Sequence, residues 1–325
     1  MTDDITVVTV TYESRAVVGA CLEAARRLLP GAELVVVDNA STDGSADVVG
    51  ELHPDARVVR NDVNEGFGRA CNRGARAATR GHVLFLNPDV VLEEVDAPAL
   101  AALLGAERLG LVAGALASPL ADGGHVPHVH PDDSVWAGYR AHTWGALRPR
   151  ELRAARHRVV RGGDWASGAL LLARRSELDA VGGFDPRFFL YEEDRDLGRR
   201  YRRAGLPIRG SHALRGRHAV GGGSALDDLR AEPAAWNLVS WLQYHASGGG
   251  RPPRAAARAA VSTLRGLRRA SGLAARVPGC PARVARKHAQ LDAVLRALGD
   301  IAAGAAIDPS FAPDARRLLR EVMRA

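Results

Sequence analysis

The fold is decided by one stretch, HVLFLNPD at residues 82–89. Four apolar residues in a row, 83–86, are typical of a buried strand, and the Asn-Pro-Asp that follows breaks it. Because Pro88 has no N–H to donate, the strand should end there, and Asp89 should emerge at its carboxyl end. Ligands bind at that edge of open α/β sheets, so Asp89 is either a metal-holding carboxylate or an ordinary turn residue.

Strands and helices are predicted to alternate ahead of this stretch. β-Branched or apolar runs at 5–11, 34–37 and 57–60 predict three strands buried in a sheet. Helical spacing of apolar residues predicts helices between them, the last from about 68 to 80. Strand–helix alternation at this spacing predicts an α/β fold with a mainly parallel sheet and right-handed crossovers.

Polar side chains follow the predicted strands at the points where they end. They are Thr11, Tyr12, Asp38, Asn39, Asn61, Asn87 and Asp89. Because several strand ends converge on one edge, these groups predict a polar site large enough for a nucleotide. The sequence Gly66-Phe67-Gly68 precedes the third helix and can bring backbone N–H groups near a phosphate. The first strand–helix turn reads TYES (residues 11–14), without the dinucleotide fingerprint, which disfavours a nicotinamide-binding domain.

Composition indicates a globular protein of the cytoplasm. The chain has 325 residues, of which 46% are apolar and 25% charged, and no apolar run approaches the length of a membrane span. Its first residues, MTDD, lack the basic and apolar regions of a signal peptide. The three cysteines are widely separated and outside any metal-ligand spacing, so we expect reduced thiols.

The charge of the chain indicates an anionic partner. The formal net charge is +7, and the stretch from Arg251 to Lys287 contains ten basic residues and no acidic one. Such a stretch is either a solvated helical face or a surface for an anionic membrane. It contains no aromatic residue, which argues against a nucleic-acid partner.

The second half of the chain contains two further features of interest. His125, His128 and His130 lie close together, but flanking prolines favour an exposed loop over a metal site. Four acidic residues open a predicted helix within YEEDRDL, residues 191–197. The helix dipole favours acids in a first turn, but Asp194 lies on a side predicted to be buried. Crowded carboxylates raise one another's pKa, which suits a general base.

A series of motifs resembles a known family. VTVTYES (8–14), VVDNASTDGS (36–45), NEGFG (64–68), NRG (72–74) and LNPD (86–89) occur in this order. The series is similar to the family 2 inverting glycosyltransferases with the GT-A fold, notably their bacterial rhamnosyltransferase-like branch. One departure is Glu13, where the family usually has Asn after the tyrosine.

The resemblance implies a site for a nucleotide-sugar donor. Its residues would be Thr11, Tyr12, Asp38, Asn39, Gly66, Phe67, Asn72 and Asn87. Thr11 and Tyr12 would line the base pocket, and Asp38 would hydrogen-bond a pyrimidine. Asn87-Pro88-Asp89 takes the place of the metal-binding Asp-x-Asp motif, so Asp89 would bind Mg²⁺ or Mn²⁺. His218 begins a segment similar to the family's His-x-x-Gly-Gly-Ser and would be the second metal ligand.

The resemblance also implies the catalytic and acceptor residues. EDRDL, residues 193–197, resembles the family's Glu-Asp-x-Asp-Leu, so Asp194 would be the catalytic base and Glu193 would orient the acceptor or the base. Trp165 and Gly168 match a Trp-x-x-Gly in the family and would lie at the acceptor. Trp165 can equally be a core anchor, and the residues alone leave both roles open.

The resemblance implies a metal-dependent, inverting transfer of a sugar from a nucleotide-sugar donor to a hydroxyl of a glycan or lipid-linked acceptor. The favoured donor is dTDP-rhamnose, which would supply rhamnose. The reaction would belong to cell-wall, polysaccharide or other glycoconjugate assembly. The alternatives are a UDP-sugar-dependent hexosyl- or galactofuranosyltransferase and a nucleotide-sugar-binding protein without catalysis. We expect a GT-A catalytic domain over 1–224, with a donor-nucleotide half (1–117) and an acceptor half (118–224), and a helical region over 225–325. Many related enzymes glycosylate lipid-linked acceptors, so contact of Arg251–Lys287 with the inner face of the plasma membrane stays open beside the solvated helical face.

Overall fold

A computed structural model describes residues 2–117, 124–132, 164–218, 231–247, 254–276, 282–303, 308 and 310–324. The described residues form two compact units. The sheet unit contains the described residues up to 132 together with 164–185 and 193–218. The helical unit contains 186–192 and the described residues from 231 onward. The predicted domain boundary at 224 lies outside the described residues and stays a prediction.

The sheet unit alternates strands and helices along most of its length. Its strands are β1 (Ile5–Thr11), β2 (Glu33–Asp38), β3 (Arg57–Arg60), β4 (His82–Leu86), β5 (Val90–Val95), β6 (Leu111–Ala117), β7 (His125–Pro127), β8 (Val129–His130), β9 (Trp165–Ala166), β10 (Leu170–Arg174) and β11 (Ile208–His218). Its helices are α1 (Arg15–Leu28), α2 (Ser45–Leu52), α3 (Phe67–Ala77), α4 (Ala97–Leu104), α5 (Arg175–Ala180) and α6 (Glu193–Arg203).

Within the described residues, nine of the strands form one mixed sheet in the order β3-β2-β1-β4-β10-β6-β11-β5, with β7 paired to β6. The first four strands are parallel, as the strand–helix alternation predicts. Past β4 the sheet is mixed, because β10 enters antiparallel to both β4 and β6. The predicted α/β class is confirmed. The sheet is less parallel than expected, since its second half is not built from consecutive strand–helix repeats.

Alternate residues of the strands face opposite sides of the sheet and form two cores. One core joins Val8 and Phe85 to Cys71 of α3 and to Leu197 and Tyr201 of α6. The other core packs against α1 and α4, with Ile5, Val7, Leu84, Cys21 and Leu100 among its members. Every residue of β1 and β4 is buried, because helices cover both faces. The face that carries α3 and α6 is the one that positions the candidate site.

The helical unit is formed by four further helices within the described residues: α7 (Ala231–Ser247), α8 (Arg254–Ala275), α9 (Ala282–Ala303) and α10 (Pro313–Arg324). Its core includes Trp236, Trp241 and Phe311. The short segment 186–192 belongs to this core, because the Phe189 ring lies 4.7 Å from the Trp236 ring and 5.2 Å from the Phe311 ring between centroids. No described helix has both the length and the apolar character needed to cross a membrane.

Candidate active site

The ends of β1 and β2 form a fixed polar pair. Thr11 and Asp38 are in register, and the Thr11 hydroxyl donates a hydrogen bond of 2.9 Å to Asp38 Oδ1. The other carboxylate oxygen, Oδ2, accepts from the Ser41 N–H at 3.3 Å. Both residues are buried, whereas the neighbouring Tyr12 is 53% exposed. An exposed aromatic ring beside a fixed carboxylate suits a flat, hydrogen-bonding ligand such as a base.

Asn39 connects β2 to the loop that precedes α3. Its Oδ1 accepts from Asn61 Nδ2 and from the Glu65 N–H, both at 2.9 Å. Its Nδ2 donates to Asn64 Oδ1 at 2.7 Å. Asn39 is 2% exposed, so these bonds replace water on both sides of the amide. The predicted donor residue Asn39 therefore shapes the loop from within.

Gly66 and Phe67 begin α3 at the end of that loop. Gly66 has φ 76°, a left-handed conformation that glycine adopts without a steric penalty, and it has no side chain that could cap the helix. The Phe67 ring packs edge-on against Phe184, with 6.2 Å between centroids. A Cβ added to Gly168 would lie 3.2 Å from the Phe67 ring. Phe67 thus connects the predicted donor side to the predicted acceptor side.

Asn72 of α3 binds the backbone of one residue through both halves of its amide. Its Nδ2 donates to the Phe184 carbonyl at 2.7 Å, and its Oδ1 accepts from the Phe184 N–H at 2.8 Å. Gly183 has φ 66°, and a Cβ there would lie 2.4 Å from Asn72 Oδ1. The predicted donor residue Asn72 holds the loop that leads toward α6, and its contact with a donor stays a prediction.

The Asn87-Pro88-Asp89 turn is held by the backbone on both sides. The Asn87 N–H donates to the Ala169 carbonyl at 2.9 Å, and the Asn87 carbonyl accepts from the Val90 N–H at 3.0 Å. The side-chain Oδ1 of Asn87 is buried and has no hydrogen-bond partner among the described residues. Asp89 is half-buried. Among the residues that the structure describes, none forms a hydrogen bond or an ion pair with its carboxylate.

The turn also lies next to the end of β11. His218 pairs with Val90 in the antiparallel register of β11 and β5, so its backbone lies beside the residue that follows Asp89. The His218 side chain is outside what the structure describes. Within the described ranges, no group of three or more His, Cys, Asp or Glu side chains could hold a metal ion. In proteins, Mg²⁺ is commonly bound by one or two carboxylates and takes further oxygen ligands from substrate phosphates.

Asp194 lies in the first turn of α6 and accepts two backbone hydrogen bonds. The Gly168 N–H donates to Oδ2 at 3.2 Å, and the Arg195 N–H donates to Oδ1 at 2.7 Å. Burial raises the pKa of Asp194 to about 6, and the opposing effects of these N–H groups and of the Arg195 charge are smaller. At neutral pH the group is a carboxylate with a higher proton affinity than an ordinary aspartate. Those properties suit a general base.

Glu193 precedes Asp194 and faces α3. It is 5% exposed. An added Cβ on Gly68 would lie 3.5 Å from the Glu193 Cβ, so the two helices approach closely here. Burial, and then the Glu193 charge, raise the pKa of the Cys71 thiol. The chain enters α6 through Tyr191 and Glu192, whose φ values of 69° and 65° are uncommon for residues other than glycine.

Trp165 is anchored at the start of β9. Its Nε1 donates to the Pro131 carbonyl at 3.2 Å, and its ring stacks on His130 with 4.4 Å between centroids. The His128 ring lies 6.1 Å from the His130 ring. These two histidines are half-buried beside Trp165, whereas the sequence favoured an exposed loop. Trp165 also remains half-buried, so the structure is compatible with an anchor that retains an accessible surface.

The charged side chains of α6 form ion pairs within the helix and with a distant part of the chain. Asp196 is 1% exposed and pairs with Arg199 and Arg200. Arg200 also donates to the carbonyls of Val181 and Gly183, at 2.8 and 2.5 Å. The spacing of three and four residues in EDRDLGRR is typical of such helical pairs and indicates Asp196 as an arginine-pairing residue. The pair of Arg195 with Asp132 is distant in sequence, and no local pattern indicates it.

Known proteins that are similar to this chain belong to one class of enzyme. Residues 6–163 match the model of Glycosyl transferase family 2. The N-acetylglucosaminyl-diphospho-decaprenol L-rhamnosyltransferase of Mycobacterium tuberculosis is 34% identical over 230 residues, covering 63% of this chain and 72% of that relative. The chain belongs to glycosyltransferase family 2. A PGL/p-HBAD biosynthesis glycosyltransferase of Mycobacterium bovis is 37% identical over 100 residues, covering 29% of this chain and 39% of the relative.

The fold of this family 2 glycosyltransferase is also found among solved structures. GalNAc-T7 with UDP, GalNAc and Mn²⁺ aligns with a TM-score of 0.54 at 14% identity, over 94% of this chain and 58% of that chain. The predicted GT-A fold and rhamnosyltransferase-like family are confirmed. The protein is accordingly a glycosyltransferase that uses a nucleotide-sugar donor.

Replacing Asn72 tests whether its side chain holds the loop that leads toward α6 or binds the donor. We expect Asn72→Ala to lower the free energy of unfolding by about 2 kcal/mol, because it leaves the Phe184 N–H and carbonyl unpaired. Urea unfolding measures this change. Asn87→Ala is the matched control and should cost less, since its Oδ1 has no partner among the described residues. Unchanged stability together with weaker donor binding would instead assign Asn72 to the donor.

Proposed function

We propose that this glycosyltransferase transfers rhamnose from dTDP-rhamnose, with inversion and with the help of a divalent metal, to a hydroxyl of a lipid-linked glycan in cell-wall or polysaccharide assembly. The observation that carries the proposal is the contact series from the Asn87–Asp89 turn through Ala169 and Gly168 to Asp194. The series places a carboxylate with a raised pKa next to the turn that precedes β5. The transferred rhamnose and the lipid-linked acceptor follow the name of the Mycobacterium tuberculosis relative, and dTDP-rhamnose as the donor follows the resemblance of the sequence motifs.

Asp194 would act as the general base. Its carboxylate takes the proton of the acceptor hydroxyl while the hydroxyl oxygen attacks the anomeric carbon of the donor. The bond from that carbon to the diphosphate breaks in the same step, and a single in-line displacement inverts the configuration. A pKa of about 6 leaves the base ionised at neutral pH with increased proton affinity. Glu193 would support this geometry from the same turn.

The donor would lie along the strand ends. Tyr12 offers an exposed ring to the base, and Asp38, fixed by Thr11, accepts from the base N–H. Gly66 and Phe67 place the uncapped start of α3 near the diphosphate, where its dipole favours negative charge. Asn39 would hold the loop before α3, and Asn72 would hold the loop that leads toward α6. Both would support donor binding by keeping these loops in place.

A divalent cation fits the turn at Asp89. The half-buried carboxylate without a partner among the described residues and the buried Oδ1 of Asn87 are hard oxygen ligands, the kind that Mg²⁺ and Mn²⁺ prefer. Asp89 would hold the ion, with His218 as a second ligand and the donor diphosphate completing the set. When bound, the cation neutralises the charge of the leaving diphosphate.

The acceptor would bind at the opposite side of Asp194. The anchored ring of Trp165 offers an apolar face to a sugar, and Gly168, packed between the Phe67 ring and Asp194, would line the acceptor side through its backbone. UDP-sugar donors for hexosyl or galactofuranosyl transfer are the alternative. A nucleotide-sugar-binding protein without catalysis is disfavoured, since a purely binding site has no need for a carboxylate with a raised pKa.

A membrane surface is proposed for the basic stretch Arg251–Lys287, within which the structure describes α8. One face of α8 is buried through Ala257, Ala260 and Leu264. The exposed face carries Arg258, Ser262, Gly266, Arg269, Leu273 and, directly after the helix, Arg276. Leu273 is 67% exposed between two arginines. A cationic stripe with an exposed leucine suits peripheral binding to anionic lipid, which would place the enzyme at the inner face of the plasma membrane.

Replacement of the base tests the catalytic role. We expect Asp194→Asn to reduce kcat by on the order of 10³, because the proton of the acceptor is no longer removed, while donor binding is retained. In the wild type, kcat/KM should rise as pH increases through about 6 and level off above it, since the active form is the carboxylate. Asp179→Asn, at an exposed aspartate of α5, should behave as wild type. Turnover that persists in Asp194→Asn excludes Asp194 as the base.

Thermal shifts identify the donor and test the metal. We expect dTDP-rhamnose with Mn²⁺ to raise the free energy of unfolding by about 2.7 kcal/mol when it is present at 100 times its Kd. At the same concentration, UDP-sugars should stabilise the protein less. A chelator or Asp89→Asn should remove most of this gain, whereas Asp300→Asn, at an exposed site of α9, should leave it intact. A stronger shift with a UDP-sugar would favour the alternative donor. An unchanged shift after chelation contradicts the metal site.

Vesicle binding tests the α8 surface. Replacing Arg258, Arg269 and Arg276 together by Gln should weaken binding to anionic vesicles roughly 100-fold, because each basic residue contributes about 1 kcal/mol. The control replaces the exposed arginines Arg27, Arg76 and Arg80 of the sheet unit and makes the same change in net charge. Equal loss in the two triple variants would mean that α8 is not the contact surface.

A further inference from the structure

A network of four charged side chains connects α6 to the ends of β8 and β9. Arg195 Nε donates to Asp132 Oδ1 at 2.7 Å, and Arg195 Nη2 lies 2.5 Å from the same oxygen. Arg202 bridges Asp132 Oδ2 at 3.4 Å and Asp164 Oδ1 at 2.6 Å. The Asp132 N–H donates to Asp164 Oδ2 at 2.8 Å. We refer to Asp132, Asp164, Arg195 and Arg202 as the α6 charge network.

Arg195 links this network directly to the candidate base. Its backbone N–H donates to Asp194 Oδ1 at 2.7 Å, while its guanidinium lies against Asp132. The side chain of Arg195 is only 6% exposed, so water can solvate very little of its charge. Removing one partner from a buried ion pair leaves an uncompensated charge and is strongly unfavourable. The position of Arg195, and with it the first turn of α6, therefore depends on Asp132.

We propose that Asp132 is a positioning residue for Asp194: by holding and neutralising the Arg195 guanidinium, it fixes the first turn of α6 and keeps the base from being paired with a neighbouring cation. The proposal rests on the proposed function, in which Asp194 is the base. Asp132 lies 62 positions before Asp194 and is linked to it through Arg195. Its role is thus distinct from those of the donor, metal and acceptor residues described above.

The balance of charge around Asp194 determines how strong a base it is. On its own helix, Arg195 is the cation that lowers its pKa, Glu193 is an adjacent acid, and Asp196 is compensated by Arg199 and Arg200. From the turn before β10, Gly168 contributes an N–H group, and from α3 the nearby Phe67 is apolar. Asp132 and Asp164 supply negative charge from the ends of β8 and β9. Without Asp132, less of the Arg195 charge would be compensated, and its effect on Asp194 would increase.

The sign of the effect follows from this balance. Loss of the Asp132 charge removes part of the compensation of Arg195, whose charge then stabilises the ionised form of Asp194 more strongly. The pKa of Asp194 then falls, and a carboxylate with a lower pKa is a weaker base. The acid limb of the pH profile should therefore move to lower pH, and kcat on the plateau should decrease.

The experiment compares pH profiles of Asp132→Asn and wild type. We expect kcat on the plateau to fall about tenfold, KM for the donor to change less than about twofold, and the acid limb to move down by about half a pH unit or more. Asp132→Glu, which restores the charge, should recover the acid limb. Asp55→Asn removes another aspartate–arginine pair, with Arg26 at an exposed position, and should match wild type.

A second pair of measurements keeps the test decisive. Far-UV circular dichroism and urea unfolding establish that each variant is folded; if Asp132→Asn is not, Arg195→Lys is used, which retains the charge but loses the two-point contact with Asp132. Its acid limb should also move to lower pH. A variant that loses activity with an unshifted acid limb overturns the proposal. If the acid limb survives in Asp194→Asn, the limb belongs to another group and the proposed function itself fails.

Discussion

Two neighbouring peptide groups, Gly168 and Ala169, hold the candidate site together. The Ala169 carbonyl accepts from the Asn87 N–H at 2.9 Å, and the Gly168 N–H donates to Asp194 Oδ2 at 3.2 Å. One short turn before β10 therefore contacts the Asn87–Asp89 turn on one side and the candidate base Asp194 on the other. Because both contacts are made by backbone, their geometry depends on the sheet, which β10 enters antiparallel beside β4. Phe67 restricts the same turn, since a side chain at Gly168 would contact its ring.

The same arrangement accounts for the chemistry of Asp194. Burial raises its pKa to about 6, and two N–H groups limit the rise by stabilising the anion. A carboxylate in water would be a poorer base, and one buried without these donors would have a higher pKa still. Asp196 of the same helix is neutralised locally by its pairs with Arg199 and Arg200. Asp194, in contrast, accepts its hydrogen bonds from the backbone N–H groups of Gly168 and Arg195.

Some residues that the motifs predict to bind the donor instead form hydrogen bonds within the protein that hold the loops of the site. Asn39 forms hydrogen bonds with the loop before α3, and Asn72 forms hydrogen bonds with Phe184. Glu13, which departs from the family pattern, accepts from the Thr42 N–H at 2.8 Å and hydroxyl at 3.0 Å. It therefore keeps a local hydrogen-bonding role although its φ of 51° suits asparagine better. A motif identifies the neighbourhood of a site more securely than it identifies the atoms that contact a ligand.

The sequence by itself determined the α/β class, the parallel half of the sheet and the family, because these depend on local periodicity and on motifs read in order. It also located the turn at Asp89 and the acidic start of α6. The tertiary structure alone decided that the sheet is mixed past β4, that segment 186–192 joins the helical core, and that Asp132 pairs with Arg195. These features join residues far apart in the chain, and non-local pairing leaves no periodic signal. The strength of the base is likewise a property of its surroundings, which only the folded chain supplies.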